Sequence, residues 1–215
     1  MNIDSWKQAW ETNNIGFHKS KPHPQLVKYF KALNLVRGSR IFLPLCGKTL
    51  DIGWLLSQGV QVTGIEISQL AIEQLFQELG VVPKITVHGK VSRYSASDID
   101  IYMGDVFNLS KDVLGEVDAI YDRAALVALP DELRIKYTKH LMEITDAAPQ
   151  LVITFEYDQS LKSGPPFSVD ADELDRLFKD TYTLALLETY TLPGGMRGKH
   201  AATENIWQLK SEREA

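Results

Sequence analysis

The strongest constraint on the fold is an apolar run that stops at a proline and a glycine: Arg40-Ile41-Phe42-Leu43-Pro44-Leu45-Cys46-Gly47-Lys48. Branched and aromatic residues leading straight into Pro and Gly read as a buried strand that ends in a tight loop. The next segment, Thr49 to Gln58, sets Leu50, Trp54 and Leu55 on one helical face, and Gly59 stops it. Strand, glycine loop and helix in that order form the place in an open α/β sheet where a nucleotide-like ligand binds, beside a helix N-terminus.

The rest of the chain repeats the alternation. Val60 to Glu66 reads as a second strand ending in an acid; Ser68 caps the next helix (Leu70, Ala71, Leu75, Phe76, Leu79) and Gly80 closes it. A third strand is expected over Ile99 to Phe107, a fourth over Val117 to Arg123, a helix from Pro130 to Thr145, and a fifth, very apolar strand over Gln150 to Tyr157. Lys84 to Asp98 reads as a short hairpin or an irregular loop. After a helix over Asp170 to Lys179, two β-rich runs, Thr183 to Leu192 and Glu204 to Lys210, are joined through Pro193-Gly194-Gly195 and suggest an antiparallel pair. Ahead of the alternation, Trp6 and Trp10 lie four apart on one helical face, and Ile15-Gly16-Phe17-His18 with Pro22 and Pro24 reads as an ordered arm. The tryptophans either cover the core or roof the crevice.

With 215 residues the chain suits one domain. Its 23 basic and 28 acidic residues give a net charge of −5, which argues against a nucleic-acid partner and favours a small ligand. We find no apolar run of membrane-spanning length and no signal-peptide pattern at Met1 to Trp6, so a cytoplasmic protein is expected. The single cysteine, Cys46, excludes an internal disulfide and fits a reducing compartment.

Four positions carry chemistry. Glu66 lies about 20 residues beyond the loop at the end of the next strand, where an acid accepts hydrogen bonds from ribose hydroxyls. The loop offers only Gly47, too few glycines for a pyrophosphate, which disfavours a nicotinamide cofactor and suits a nucleoside-like ligand without phosphates. Asp105 is placed to reach an adenine edge with Val106 against the ring, or else it is a turn former. Arg123 puts a fixed positive charge at the end of the fourth strand, either as a clamp on a carboxylate or anionic sulfur or in an ion pair with Asp122 or Asp118. Cys46 among apolar neighbours reads as a buried filler, and His18 with His23 lacks a completing ligand, so no metal site is expected.

Taken together, Trp6-Lys7-Gln8-Ala9-Trp10, Ile15-Gly16-Phe17-His18, Phe42-Leu43-Pro44-Leu45-Cys46-Gly47-Lys48, Gly64-Ile65-Glu66-Ile67-Ser68, Tyr121-Asp122-Arg123-Ala124-Ala125-Leu126-Val127-Ala128 and Gly164-Pro165-Pro166-Phe167 resemble the thiopurine S-methyltransferases in their bacterial form. The resemblance runs in order over nearly the whole chain, and its Pro-Leu-Cys-Gly-Lys loop is specific. It implies a Rossmann-like α/β methyltransferase fold: a mostly parallel seven-stranded sheet with an antiparallel C-terminal strand and helices on both faces. It implies one domain over residues 1–215, with 1–35 as an arm or lid. By the same resemblance Trp10, Leu45, Glu66 and Arg123 contact S-adenosyl-L-methionine, Asp105 and Val106 lie at its adenine, and Phe17 lies where cofactor and acceptor meet; on chemical grounds Gly47 offers its backbone to the amino-acid part of that cofactor, Arg123 acts electrostatically on the acceptor sulfur, and no dedicated general base is needed. The implied partner is a small thiol or chalcogen substrate, with S-adenosyl-L-homocysteine as product and a monomer as the working unit. Departures fall mainly in Lys90–Asp98 and Gly194–His200, where the acceptor would bind, so another soft nucleophile (a halide, a selenium or tellurium species, another small thiol) remains open. A non-catalytic adenosylmethionine-binding module is the alternative from outside the enzymes.

Overall fold

A computed structural model describes residues 3–16, 18–196 and 198–211. The chain divides into two compact units, Met1–Ile120 and Tyr121–Ala215.

In the first unit, helix α1 (Ile3–Glu11) carries Trp6 and Trp10 and packs against the helix over Gln69–Leu79. Helix α2 (Pro24–Tyr29) has Pro24 at its first position and runs into a 3₁₀ turn, Phe30–Leu33. Strand β1 (Arg40–Pro44) has Ile41, Phe42 and Leu43 buried in succession, as a strand covered on both faces requires. It leads through the loop to α3 (Asp51–Ser57), β2 (Gln61–Glu66) and α4 (Gln69–Leu79). The caps of α4 are those read from the sequence: Ser68 Oγ accepts from Ala71 N, and Gly80 closes the helix at φ +69°.

The 84–98 segment is a hairpin, β3 (Lys84–His88) and β4 (Val91–Ala96), followed by β5 (Ile99–Met103). Tyr94 of β4 meets Phe76 of α4 with ring centroids 6.3 Å apart, which fastens the hairpin to the helix. Strand β5 stops at Met103, earlier than the expected Phe107, because Gly104 turns to φ +153° and Asp105 caps a 3₁₀ turn over Val106–Asn108. A short helix, α5 (Lys111–Leu114), precedes β6 (Ala119–Arg123), whose first residues pair with β1.

The second unit continues β6 and adds α6 (Asp131–Ile144), β7 (Gln150–Tyr157), α7 (Ala171–Phe178), β8 (Tyr182–Thr191) and β9 (Ala202–Ser211). Helix α6 buries Arg134, Tyr137, Thr138, Leu141 and Ile144, a stripe at helical spacing. Asp170 caps α7 through Glu173 N at 2.9 Å.

By hydrogen bonding the strands run β3-β4-β5-β2-β1-β6-β7-β9-β8. The pairs β5–β2, β2–β1 and β1–β6 are parallel; β3–β4, β4–β5, β7–β9 and β9–β8 are antiparallel. The expected α/β class, a sheet with a mostly parallel core, is the one observed. Nine strands stand where seven were expected, because the hairpin β3–β4 joins the sheet edge beyond β5.

Candidate functional site

In the first unit the carboxyl ends of β1, β2 and β5 bring together Leu45, Gly47, Glu66, Asp105 and Val106, and helix α1 adds Trp10. The centre is Glu66, which is 5% exposed. Its Oε2 accepts from Gly47 N and its Oε1 from Ser68 N, both at 2.8 Å. Burial raises the pKa of this carboxyl, and the backbone N–H groups of Ser68, Gly47 and Ile67 act against that rise. Three backbone N–H groups thus converge on the carboxylate, those of Gly47 and Ser68 each at 2.8 Å.

The loop is shaped around this buried carboxylate. Leu45 sits at φ +47°, in the left-handed region that side chains other than glycine seldom enter, and Cys46 N donates to Ile65 O at 3.0 Å. Gly47 is at φ +52°, and a Cβ built there would lie 2.7 Å from Trp10 Cζ2 and 3.9 Å from Glu66 Oε2. The buried indole therefore rests on the glycine itself, a closeness that only a residue without Cβ permits. Gly64 is required for a similar reason: a Cβ there would stand 2.8 Å from Cys46 Sγ.

The third strand end is tied in by Gly104 N, which donates to Glu66 O at 2.9 Å. Half-buried Asp105 accepts from Phe107 N through Oδ1 at 3.0 Å, so its turn-forming role is real, and buried Val106 follows it. Cys46 is held as a thiol: burial first, and then the charge of Glu66, push its pKa well up. This matches the filler reading rather than that of a nucleophile. His23 is structural; its Nδ1 caps α2 and its N–H donates to Asp51 Oδ1 at 2.7 Å. Lys48 pairs with Glu78 at 2.7 Å.

In the second unit, Arg123 is half-buried at the end of β6. Its neighbour Asp122 is 2% exposed and accepts from Leu126 N at 3.0 Å and from Tyr137 Oη at 2.6 Å. Burial raises the pKa of Asp122 against these donors. Asp118, the other candidate partner, accepts from Arg40 N at 2.6 Å. Phe167 of the Gly-Pro-Pro-Phe segment donates its N–H to Val127 O at 2.6 Å, and its ring lies 5.7 Å from the Arg134 guanidinium carbon. Phe17 lies outside the described residues, as does Arg197 of the 194–200 loop.

The residues themselves had pointed to Glu66, Asp105 and Arg123. They had not pointed to Ser68 N as a ligand of Glu66, nor to the Asp122–Tyr137 bond. The signal for the first was present, since an acid two residues before a helix cap is within reach of the cap's own N–H.

The model of the thiopurine S-methyltransferase family matches residues 1–212. The chain belongs to the thiopurine S-methyltransferase family. A relative of that name from Xanthobacter autotrophicus is 50% identical over 211 residues, covering 98% of this chain and 99% of the relative. One from Teredinibacter turnerae is 47% identical, covering 97% of each. A probable thiopurine S-methyltransferase from Yarrowia lipolytica is 40% identical, covering 87% of this chain and 89% of the relative. Among solved structures, the 1,6-didemethyltoxoflavin-N1-methyltransferase of Burkholderia thailandensis, with S-adenosylhomocysteine bound, aligns at TM-score 0.67 and 15% identity, covering 98% of this chain and 87% of that one. An S-adenosylmethionine-dependent methyltransferase from Anabaena variabilis aligns at TM-score 0.63 and 15% identity, covering 99% and 96%. These two likenesses show the Rossmann-like methyltransferase fold. The enzyme class expected from the sequence, an S-adenosylmethionine-dependent methyltransferase, is the class of the family. Among the described residues, no helix is long and apolar enough to cross a membrane.

Proposed function

We propose that the chain transfers the methyl group of S-adenosyl-L-methionine to the sulfur of a small aromatic or heterocyclic thiol, leaving S-adenosyl-L-homocysteine. The observation that carries this reading is the buried carboxylate of Glu66, held by Gly47 N and Ser68 N beneath Trp10. The residues fit the cofactor. A carboxylate at the end of β2 is an acceptor suited to the ribose hydroxyls, and a loop with one glycine suits a ligand without phosphates. Leu45 and Gly47 present backbone groups to the amino-acid part, while Asp105 and Val106 orient the adenine.

When bound, adenosylmethionine supplies an electrophilic methyl on a sulfonium. The new carbon–sulfur bond forms as the bond to the sulfonium breaks, and the bond pair stays on the donor sulfur. A thiolate and a sulfonium become two neutral products, so charge is lost along the path and a site that excludes water favours it. Trp10 serves this by covering the loop, with residues 1–35 acting as the arm of a single domain over residues 1–215. Arg123 favours the anionic form of the acceptor sulfur, which removes the need for a general base. Phe17 contributes where cofactor and acceptor meet. The chain works as a monomer in the cytoplasm, where Cys46 stays reduced.

The test is methyl transfer from labelled adenosylmethionine to a panel of an aromatic thiol, an alkyl thiol, selenide, tellurite and iodide. The reading expects the aromatic thiol to give the highest kcat/KM. Preferred transfer to selenide, tellurite or iodide would move the acceptor to another soft nucleophile, and cofactor binding without any methylated product would make the chain a binding module.

A further inference from the structure

The exit from β6 is fastened more firmly than a surface turn requires. Asp122 Oδ1 accepts from Leu126 N at 3.0 Å and Oδ2 from Tyr137 Oη at 2.6 Å, with the carboxylate 2% and the tyrosine 0% exposed. One residue further on, Val127 O accepts from Phe167 N at 2.6 Å. Between these fixed points Ala124 is held at φ +65°, a left-handed conformation that a residue with a Cβ keeps only where its surroundings impose it. Arg123 lies inside this clamped segment. Strand alternation turns its side chain to the face opposite Asp122, so the direction of the guanidinium is set by backbone that Asp122 holds.

We propose that Tyr137 and Asp122 are positioning residues: through the turn 122–126 they aim the Arg123 guanidinium at the acceptor sulfur. This rests on the role given to Arg123 above. Tyr137 is placed for the task by α6, where it falls on the buried stripe with Arg134, Thr138 and Leu141. Its hydroxyl is the one side-chain donor, among the described bonds, that reaches Asp122. A buried carboxylate that accepts from neutral donors loses much of its anchoring when one is removed, because no solvent replaces it.

The test is a double-mutant cycle on the full chain, with kcat/KM for a small aromatic thiol at saturating adenosylmethionine and thermal melting to verify the fold. Tyr137→Phe keeps the ring and removes only the hydroxyl; it is expected to lower kcat/KM about tenfold, the effect of losing one hydrogen bond to a charged group. In an Arg123→Ala background the same substitution is expected to change kcat/KM less than about twofold, since coupled residues are not additive. A second readout needs no ligand: the NMR order parameter of the Arg123 Nε–H is expected to fall in Tyr137→Phe. Equal losses in both backgrounds, or an unchanged Arg123 order parameter, would overturn the inference and leave the methyl transfer standing. Arg123→Ala with wild-type turnover would instead overturn the role of Arg123 itself. Should Tyr137→Phe not fold, Ala124→Gly carries the cycle, because it relieves the left-handed residue while freeing the turn; the expected result is the same Arg123-dependent loss, and its absence refutes the inference.

Discussion

Glu66→Gln separates two jobs that one side chain performs. Each carboxylate oxygen accepts a backbone N–H at 2.8 Å, one from Gly47 and one from Ser68. An amide side chain keeps one acceptor oxygen and presents an NH₂ to the other backbone donor. One buried N–H is thereby orphaned, which costs about 1–3 kcal/mol. For a chain of this size each kcal/mol moves Tm by roughly 2–4 °C, so the variant is expected to melt about 2–12 °C below wild type. Relief of the buried charge pulls the other way and places the result toward the low end of that range. The cofactor term is separate. Hydrogen bonds from ribose hydroxyls to an ionised acceptor are each worth about 1.5–3 kcal/mol, so losing one such bond weakens adenosylhomocysteine binding roughly 10- to 150-fold. Calorimetric titration at a temperature well below both melting points checks it. Wild-type affinity in a folded Glu66→Gln protein would refute the ribose assignment, whatever happens to Tm.

Three further outcomes follow from the same geometry. Gly64→Ala sets a Cβ 2.8 Å from Cys46 Sγ and 3.1 Å from both Ile101 Cδ1 and Leu43 O, an overpacking expected to cost about 1–3 kcal/mol by thermal melting; Cys46→Ala in the same chain should restore part of it. Removing residues 1–20 takes Trp10 off the loop, and adenosylhomocysteine affinity and turnover are both expected to fall; unchanged values would end the arm's role as a lid. For pH, burial raises the Glu66 pKa above its ordinary value of 4.5, so the folded state holds that proton more tightly than the unfolded chain. Its contribution to stability is complete below 4.5, declines as pH rises through the raised value, and is flat above it. The wild-type Tm should therefore fall toward that of Glu66→Gln as pH rises through that window, while cofactor affinity of the wild type rises across it, because ribose donors favour the ionised form.

Much of the architecture was legible because burial and backbone chemistry agree there. Ile41-Phe42-Leu43 can only be a strand covered on both sides, and Ser68 with Gly80 marks both ends of α4 by local chemistry. Strand β5 was read too long because Val106 and Phe107 look like strand residues, whereas Gly104 and the Asp105 cap turn the chain first. The hairpin β3–β4 is ambiguous in the sequence because Ile85 and Val87 of β3 face solvent, while Val91 and Tyr94 of β4 are buried, so its apolar pattern does not mark one core face. At the site, acids and the arginine at strand ends stood out by residue type and spacing. The Trp10–Gly47 contact and the Asp122–Tyr137 bond did not, since each joins positions far apart in the chain, and nothing in the local sequence encodes the pairing.

The most direct test of the account is a stoichiometric reaction of the protein with S-[methyl-¹³C]adenosylmethionine and a heterocyclic thiol that also offers ring nitrogens. One ¹³C-methyl resonance, on sulfur, is expected, appearing with an equal amount of adenosylhomocysteine. A methyl on ring nitrogen, or adenosylmethionine recovered intact after prolonged incubation, would contradict it.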